Sequence, residues 1–395
     1  MDFKFNLGGA EEEEEEQNLD GLNFFGGVHH QHHDDDLDKL DPTMQTSTIS
    51  RSKREKSVEP GEEQPDYEAE IIAKCVYDEE RGILNEYELL DKIGSGSFGK
   101  IVRVTRSYYE DDGVTISKSI YVFKILKKSQ KIIQITDENG QSQLKKELDL
   151  LYQEIEIYKY LNNVNICKLY QIIDAPYEQT LYLVMQYCDL GQLLNLDEKE
   201  QKYYPNNKID SFIEQTYNIS EQDQHKKREK YAKVIFKQVS QGLKYLHDKR
   251  IVNRDIKIDN ILGKSIECEK GENFKIIDFS TAVKLKSHHQ KVFGQAGTPA
   301  YQSPEVCVKS NEGYDGKAAD IWSLGITIYC YVNLCLPFLN QPDTQKLFNS
   351  ILNDPIQFQT HNSALFLDLI NNMCRKNPKE RLKIDQVLSH QWFQE

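Results

Sequence analysis

The stretch Asn253-Arg254-Asp255-Ile256-Lys257-Ile258-Asp259-Asn260 sets an aspartate, a lysine two residues on and an asparagine three beyond that in one short run. A further acid follows in Ile277-Asp278-Phe279-Ser280. Side chains of these types at this spacing can share a loop and handle magnesium and phosphate. Asp255 is placed to accept a hydroxyl proton, and Asn260 to hold a hard metal through its amide oxygen.

Upstream, Ile93-Gly94-Ser95-Gly96-Ser97-Phe98-Gly99-Lys100-Ile101 offers a glycine-rich loop whose backbone N–H groups can approach phosphate oxygens closely. Its β-branched flanks Ile101, Val102 and Val104 predict a hairpin, which argues against the strand-to-helix context of a dinucleotide site. The apolar run Tyr121-Val122-Phe123-Lys124-Ile125-Leu126 reads as a buried strand with one ammonium that must be paired, because a lone buried charge is too costly. Between 144 and 161, apolar residues at Leu144, Leu148, Leu151, Ile155, Tyr158 and Leu161 recur at helical spacing. Glu147 and Glu154 on that segment are the candidate partners of Lys124.

In this order the motifs resemble those of protein kinases. Asp255 to Asn260 resembles the catalytic loop, Asp278-Phe279-Ser280 the metal-binding motif, and Gly297-Thr298-Pro299-Ala300-Tyr301-Gln302-Ser303-Pro304-Glu305 the substrate-docking loop. The resemblance implies an α+β, bilobal protein kinase fold over 87–393. A strand-rich small lobe with one helix would span 87–185, and a mainly helical large lobe 186–393. It also implies transfer of the γ-phosphoryl of ATP to a hydroxyl, with Mg²⁺ held by Asn260 and Asp278. Asp255 would act as base, Lys257 would steady the γ-phosphate, and Lys124 would hold the α- and β-phosphates. The local string Tyr152-Gln153-Glu154-Ile155-Glu156-Ile157 matches the register in which Glu154 pairs with Lys124, leaving Glu147 and Glu156 solvated. The nucleotide would lie against Ile93, Gly94, Ser95, Gly96, Ser97, Phe98, Gly99, Ile101 and Val122. Met185 would be the gatekeeper, with Tyr187 and Cys188 in the hinge. Asp320 would brace the catalytic-loop backbone, and Glu305 would pair with Arg381.

Lys257 and Thr298 fit the serine/threonine arrangement, so the implied partners are protein substrates. Within the family the chain is most similar to calcium/calmodulin-dependent kinase kinases, which act on other protein kinases. The chain ends at His390-Gln391-Trp392-Phe393-Gln394-Glu395, with no following segment for a calmodulin-binding helix, so calcium control through such a tail is not expected. Gln192 stands where kinases selecting basic peptides carry glutamate, which points away from basic substrates, whereas Asp259 pulls mildly the other way. Gly294, Gln295 and Ala296 occupy the usual phosphothreonine region and cannot accept phosphate, so Arg254 loses its usual partner. Activity without activation-loop phosphorylation is therefore expected. Two departures keep a weakly active, ATP-binding scaffold as the alternative. Asn253 replaces a histidine that stacks with residues matching Tyr158, Leu169 and Phe279, and Ser280 replaces a glycine free to take positive φ.

Residues 1–80 read as a disordered tail, with acids Glu11 to Glu16 and Asp34 to Asp36, histidines His29, His30, His32 and His33, and few apolar anchors. Residues 195–228 read as a polar insertion ahead of a helix from Glu229 to His247. The net charge of −14 argues against nucleic acid or an anionic membrane as main partner. There is no apolar run long enough to span a bilayer and no signal-peptide core, so a cytoplasmic location is expected. The short basic run Arg51 to Lys56 raises a nuclear address as the alternative. Eight cysteines without C-x-x-C spacing fit reduced thiols, and Cys188, just after the hinge, is the candidate for exposure.

Overall fold

The computed structural model describes residues 67–394 apart from 97–98, 111–112, 137–139, 198, 201, 266–272, 309–311 and 339–342. The chain forms strands β1 (Glu70–Ile72), β2 (Tyr77–Asp78), β3 (Ile83–Leu84), β4 (Tyr87–Gly96), β5 (Gly99–Tyr109), β6 (Ile116–Lys127), β7 (Ile132–Thr136) and β8 (Ser142–Lys146). Helix α1 (Glu147–Tyr158) and strands β9 (Leu169–Ile173) and β10 (Thr180–Gln186) complete the first half. Eight of these strands make one sheet in the order β1-β9-β10-β6-β5-β4-β3-β2. Its register sets Lys124 on β6 opposite Ile101 on β5 and Leu183 on β10, in the middle of the sheet.

The second half contains β11 (Gly191–Gln192), β12 (Leu194–Asp197), β13 (Lys202–Pro205), α2 (Asn207–Tyr217), α3 (Gln224–Asp248), β14 (Ile251–Val252), β15 (Ile261–Gly263), β16 (Phe274–Ile276) and β17 (Val283–Lys284). Helices α4 (Pro304–Cys307), α5 (Gly316–Asn333), α6 (Thr344–Asn353), α7 (Ala364–Met373) and α8 (Ile384–Leu388) follow. Helix α5 is buried along nearly its whole length, and such a helix must be central, since no face of it needs water. Asp315 starts it by accepting from the N–H groups of Lys317 and Ala318. One apolar core runs from Ile155 and Tyr158 on α1 through Phe279 to Trp322 and Ile326 on α5, so it joins the sheet-side helix to the helical half.

Three sequence expectations are corrected. The tail does not extend to residue 80: Ala69 is buried and β1 pairs in parallel with β9, covering an edge that would otherwise expose unpaired N–H and C=O groups. The Ala69 N–H also bonds the Lys159 carbonyl at the end of α1, at 2.9 Å. Residues 1–66, with their acid, histidine and basic runs, lie outside the described residues. The helix expected from Leu144 begins at Glu147, because 142–146 pair with the β-branched strand β7 as a hairpin that leaves Leu144 exposed. The helix expected from Glu229, after the polar insertion 195–228, begins inside that insertion, which is itself structured. The insertion holds the β12–β13 hairpin and α2, whose Ile209 and Ile213 are fully buried one turn apart, and α3 starts at Gln224 behind the cap Asp223.

Candidate active site

The hairpin of β4 and β5 carries the glycine-rich loop, with Gly96 opposite Gly99. Glycine is needed at Gly99, where a Cβ would lie 1.7 Å from the Ile125 carbonyl oxygen of the neighbouring strand. Ile93 is exposed on this hairpin, while Ser97 and Phe98 lie outside the described residues. Val122, Met185 and Cys188 are buried, so the thiol considered for exposure is covered by packing.

Three chain segments meet at Lys124. Its Nζ lies 3.5 Å from Glu154 Oε1 on α1 and 3.4 Å from Asp278 Oδ1. Glu147 pairs with Lys131 instead, and the exposed Glu156 with the buried Lys159. Burial works against the Lys124 ammonium, yet Glu154 and Asp278 outweigh it and hold its pKa above the usual lysine range. Burial likewise pushes Asp278 up, but Lys124 and the bonds from Ser280 prevail and leave this carboxyl below its ordinary value. Asp278 adopts φ 64°, a left-handed conformation uncommon outside glycine, of the kind that collects at functional sites. Ser280 keeps negative φ and donates its N–H to Asp278 Oδ1 at 3.2 Å, so the missing glycine freedom is not required here.

Asp255 sits at the centre of the second cluster. Its Oδ1 accepts from the Thr298 N–H and hydroxyl, each at 2.8 Å, and its Oδ2 accepts from Asn260 Nδ2 at 3.1 Å. Lys257 Nζ is 3.0 Å from Asp255 Oδ2 and donates to Thr298 Oγ1 at 2.8 Å. Gly297, at φ +85°, brings this loop in so closely that a Cβ there would meet the Arg254 carbonyl oxygen at 2.2 Å. The Ser280 N–H bonds Asp278 Oδ1 and the Asn260 Nδ2 hydrogens go to Asp255, so Asp278 Oδ2 and Asn260 Oδ1 stand outside those bonds. They are the carboxylate and amide oxygens that a hard divalent cation prefers, so the donor set fits magnesium.

Asp320, fully buried on α5, supports this loop from below by accepting the N–H groups of Asn253 at 3.0 Å and Arg254 at 2.9 Å. His247 Nε2 lies 3.0 Å from the same Asp320 Oδ2. Asn253 is fully buried but polar-satisfied: its amide donates to the Asp278 carbonyl at 3.1 Å and accepts from the Asp255 N–H at 3.1 Å. The Tyr158 and Phe279 rings pack against each other with centroids 4.8 Å apart. Arg254, expected to lack a partner, donates to the carbonyls of Thr281 at 2.6 Å and Phe293 at 3.4 Å. Sequence reasoning missed these carbonyls and His247, because backbone acceptors leave no mark in residue type. The fold also ties Glu305 to Arg381 through two bonds of 2.5 Å.

A sheet with an inserted helix, a central buried helix and these converging motifs define a phosphotransferase fold, and the comparison with known families agrees. The protein kinase domain matches residues 87–393, and the chain belongs to that family. It is 32% identical over 323 residues to a calcium/calmodulin-dependent protein kinase kinase of Caenorhabditis elegans, which covers 78% of this chain and 52% of the relative. It is 33% identical over 334 residues to the serine/threonine-protein kinase TOS3 of Saccharomyces cerevisiae, covering 78% and 53%. A further relative, serine/threonine-protein kinase GRIK2 of Arabidopsis thaliana, is 30% identical over 310 residues, covering 78% and 65%. The chain thus spans about half to two thirds of the length of these relatives.

Proposed function

We propose that this chain transfers the γ-phosphoryl of ATP to serine or threonine hydroxyls of proteins. The observation that carries the reading is the convergence of Asp255, Lys257 and Thr298 in one hydrogen-bonded cluster, with Lys124 held between Glu154 and Asp278. Asp255 orients the acceptor hydroxyl and takes its proton, and Thr298 fixes the direction of that carboxylate. Lys257 steadies the phosphoryl group in transit. Lys124, kept cationic, holds the α- and β-phosphates, and the glycine-rich hairpin covers them with backbone N–H groups. Asp278 and Asn260 would hold Mg²⁺, which neutralises phosphate charge when bound. Met185, Val122, Ile93 and Ile101 frame the adenine, with Tyr187 and Cys188 on its hinge side.

The bonds from Arg254 to Thr281 and Phe293 support activity without an activation-loop phosphate, since backbone carbonyls already engage the guanidinium. The name of the C. elegans relative supports other protein kinases as substrates. Among the described residues no helix is long and apolar enough to cross a membrane. No observation favours the scaffold alternative, because Asn253 is satisfied and Ser280 unstrained.

Phosphate transfer from labelled Mg·ATP to generic proteins and kinase-domain fragments tests the proposal. Asp255→Asn should lower the rate by roughly 10²- to 10⁴-fold, and Asp278→Asn should abolish transfer with the fold intact. Nucleotide binding with no transfer above the two variants would instead establish the scaffold.

A further inference from the structure

Gln302 stands in the docking loop between the turn Pro299–Tyr301 and helix α4, and it is only 6% exposed. Its backbone is anchored on both sides. The Tyr301 carbonyl accepts from Ser323 Oγ of the central helix α5 at 2.8 Å, and Glu305, three residues on, is bound to Arg381. A long polar side chain on so fixed a base must find partners for its amide, because a buried donor or acceptor left unpaired is costly.

The partners all lie in one stretch of chain. Gln302 Nε2 donates to the carbonyls of Ala296 at 2.9 Å and Gly297 at 3.2 Å, and its Oε1 accepts from Gln295 Nε2 at 2.8 Å. The orientation of the amide follows from these partners, since two backbone oxygens face one end and only the NH₂ end can donate to them. Residues 295–297, none of which can carry phosphate, are thus tied down by a neutral carboxamide.

The tie to Gly297 bears on the chemistry through a single peptide unit. The Gly297 carbonyl and the Thr298 N–H belong to one planar trans group, in which they point in opposite directions. The oxygen faces Gln302, and the N–H faces Asp255 Oδ1 at 2.8 Å. Gln302 and the catalytic Asp255 therefore hold opposite edges of one rigid plate. Gly297, at φ +85°, has no side chain to resist a turn of that plate, so the donor on its carbonyl edge is what keeps the N–H on the carboxylate.

We propose that Gln302 is a positioning residue for phosphoryl transfer, which holds the peptide plane between Gly297 and Thr298 and through it aims the Asp255 carboxylate at the acceptor hydroxyl. The inference deepens the proposed kinase reading and rests on it. Because the effect passes through Thr298 and Asp255, it belongs to turnover and not to nucleotide binding.

The test is the kinetics of Gln302→Met, which keeps the length of the side chain and removes the amide, with activity expressed per nucleotide bound so that any unfolded fraction drops out. Its kcat is expected to fall about tenfold, the kinetic worth of an ordinary hydrogen bond, with KM for Mg·ATP at the native value. Gln302→Glu gives an independent reading. As a carboxylate this side chain donates to neither carbonyl, whereas in its protonated form it donates to one. The ratio of its kcat to that of the native chain, in which titrations common to both cancel, should be lowest at pH 8 and rise several-fold as pH falls to about 5. Native kcat in Gln302→Met overturns the proposal, and so does a loss that disappears once activity is expressed per nucleotide bound. Should Gln302→Met not fold, the pH course of Gln302→Glu decides, and a ratio that stays flat overturns the proposal. Native transfer that Asp255→Asn abolishes but that both Gln302 variants retain in full sinks this inference and leaves the kinase reading standing. A native chain that transfers no phosphate overturns the kinase reading itself, and this inference with it.

Discussion

Two ion-paired sites of the molecule are built on opposite principles. Arg381 and Glu305 meet through two parallel bonds of 2.5 Å, and the guanidinium also donates to the carbonyls of Arg375 and Ala318, at 2.8 and 3.0 Å. Every feature of that pair is saturated, and the Trp322 ring stacks over the guanidinium at 5.2 Å. Lys124 instead faces two carboxylates at 3.4 and 3.5 Å, a looser arrangement with an excess of negative charge. The first geometry resists change and holds the docking loop to the helical half. The second leaves both lysine and aspartate able to turn to a ligand, and a site that must bind charged phosphates cannot be internally satisfied.

The sharpest way to break the comparison is Arg381→Ala. It strands Glu305 among buried groups, and a loss of about 3 to 5 kcal/mol is expected in denaturant unfolding, with activity falling only as far as the folded fraction does. Next, Lys124→Met should lower kcat by roughly 10²- to 10³-fold, the scale for removing one electrostatic donor from a transition state. Its unfolding free energy should change by less than that of Arg381→Ala, because methionine keeps the packed stem, Asp278 keeps its bond from the Ser280 N–H, and Glu154, whose pKa burial already raises, can take up a proton. Equal destabilisation by the two changes would erase the distinction drawn above.

The smallest effect is in acid. The folded pKa of Asp278 is depressed, so its pairing contributes full stability above the ordinary carboxylate range and loses it as pH falls through the lower folded value. Burial raises the Glu154 pKa and Lys124 opposes that rise, so in Lys124→Met both acids take up protons at higher pH than in the native chain. The stability difference between the two chains should accordingly be largest at pH 8 and shrink as pH falls, and a difference that grew on acidification would contradict this pairing.

Much of this site was legible because its parts are local. Asp255, Lys257 and Asn260 occur within one turn of chain, and the glycines at 94, 96 and 99 announce a tight hairpin by their type alone. Strands carrying Lys124 and Leu183 were equally visible as apolar runs. Misreadings arose where polar composition hid packing. Ile209 and Ile213 form a buried face in α2, although the segment around them looks like a solvated insertion. Similarly, β1 is held by β9, a partner about a hundred residues away, which nothing near Glu70 announces.

Residue type and short spacing, then, determined which groups could do the chemistry, the strand that carries Lys124 and the turn that carries Asp255. Tertiary structure alone decided that Lys124 stands between Glu154 and Asp278, and that backbone carbonyls engage Arg254. The physical reason is sequence separation. A turn or a strand is specified by its own residues, whereas Lys124 and Asp278 are 154 positions apart and meet only when one apolar core brings sheet and helices together.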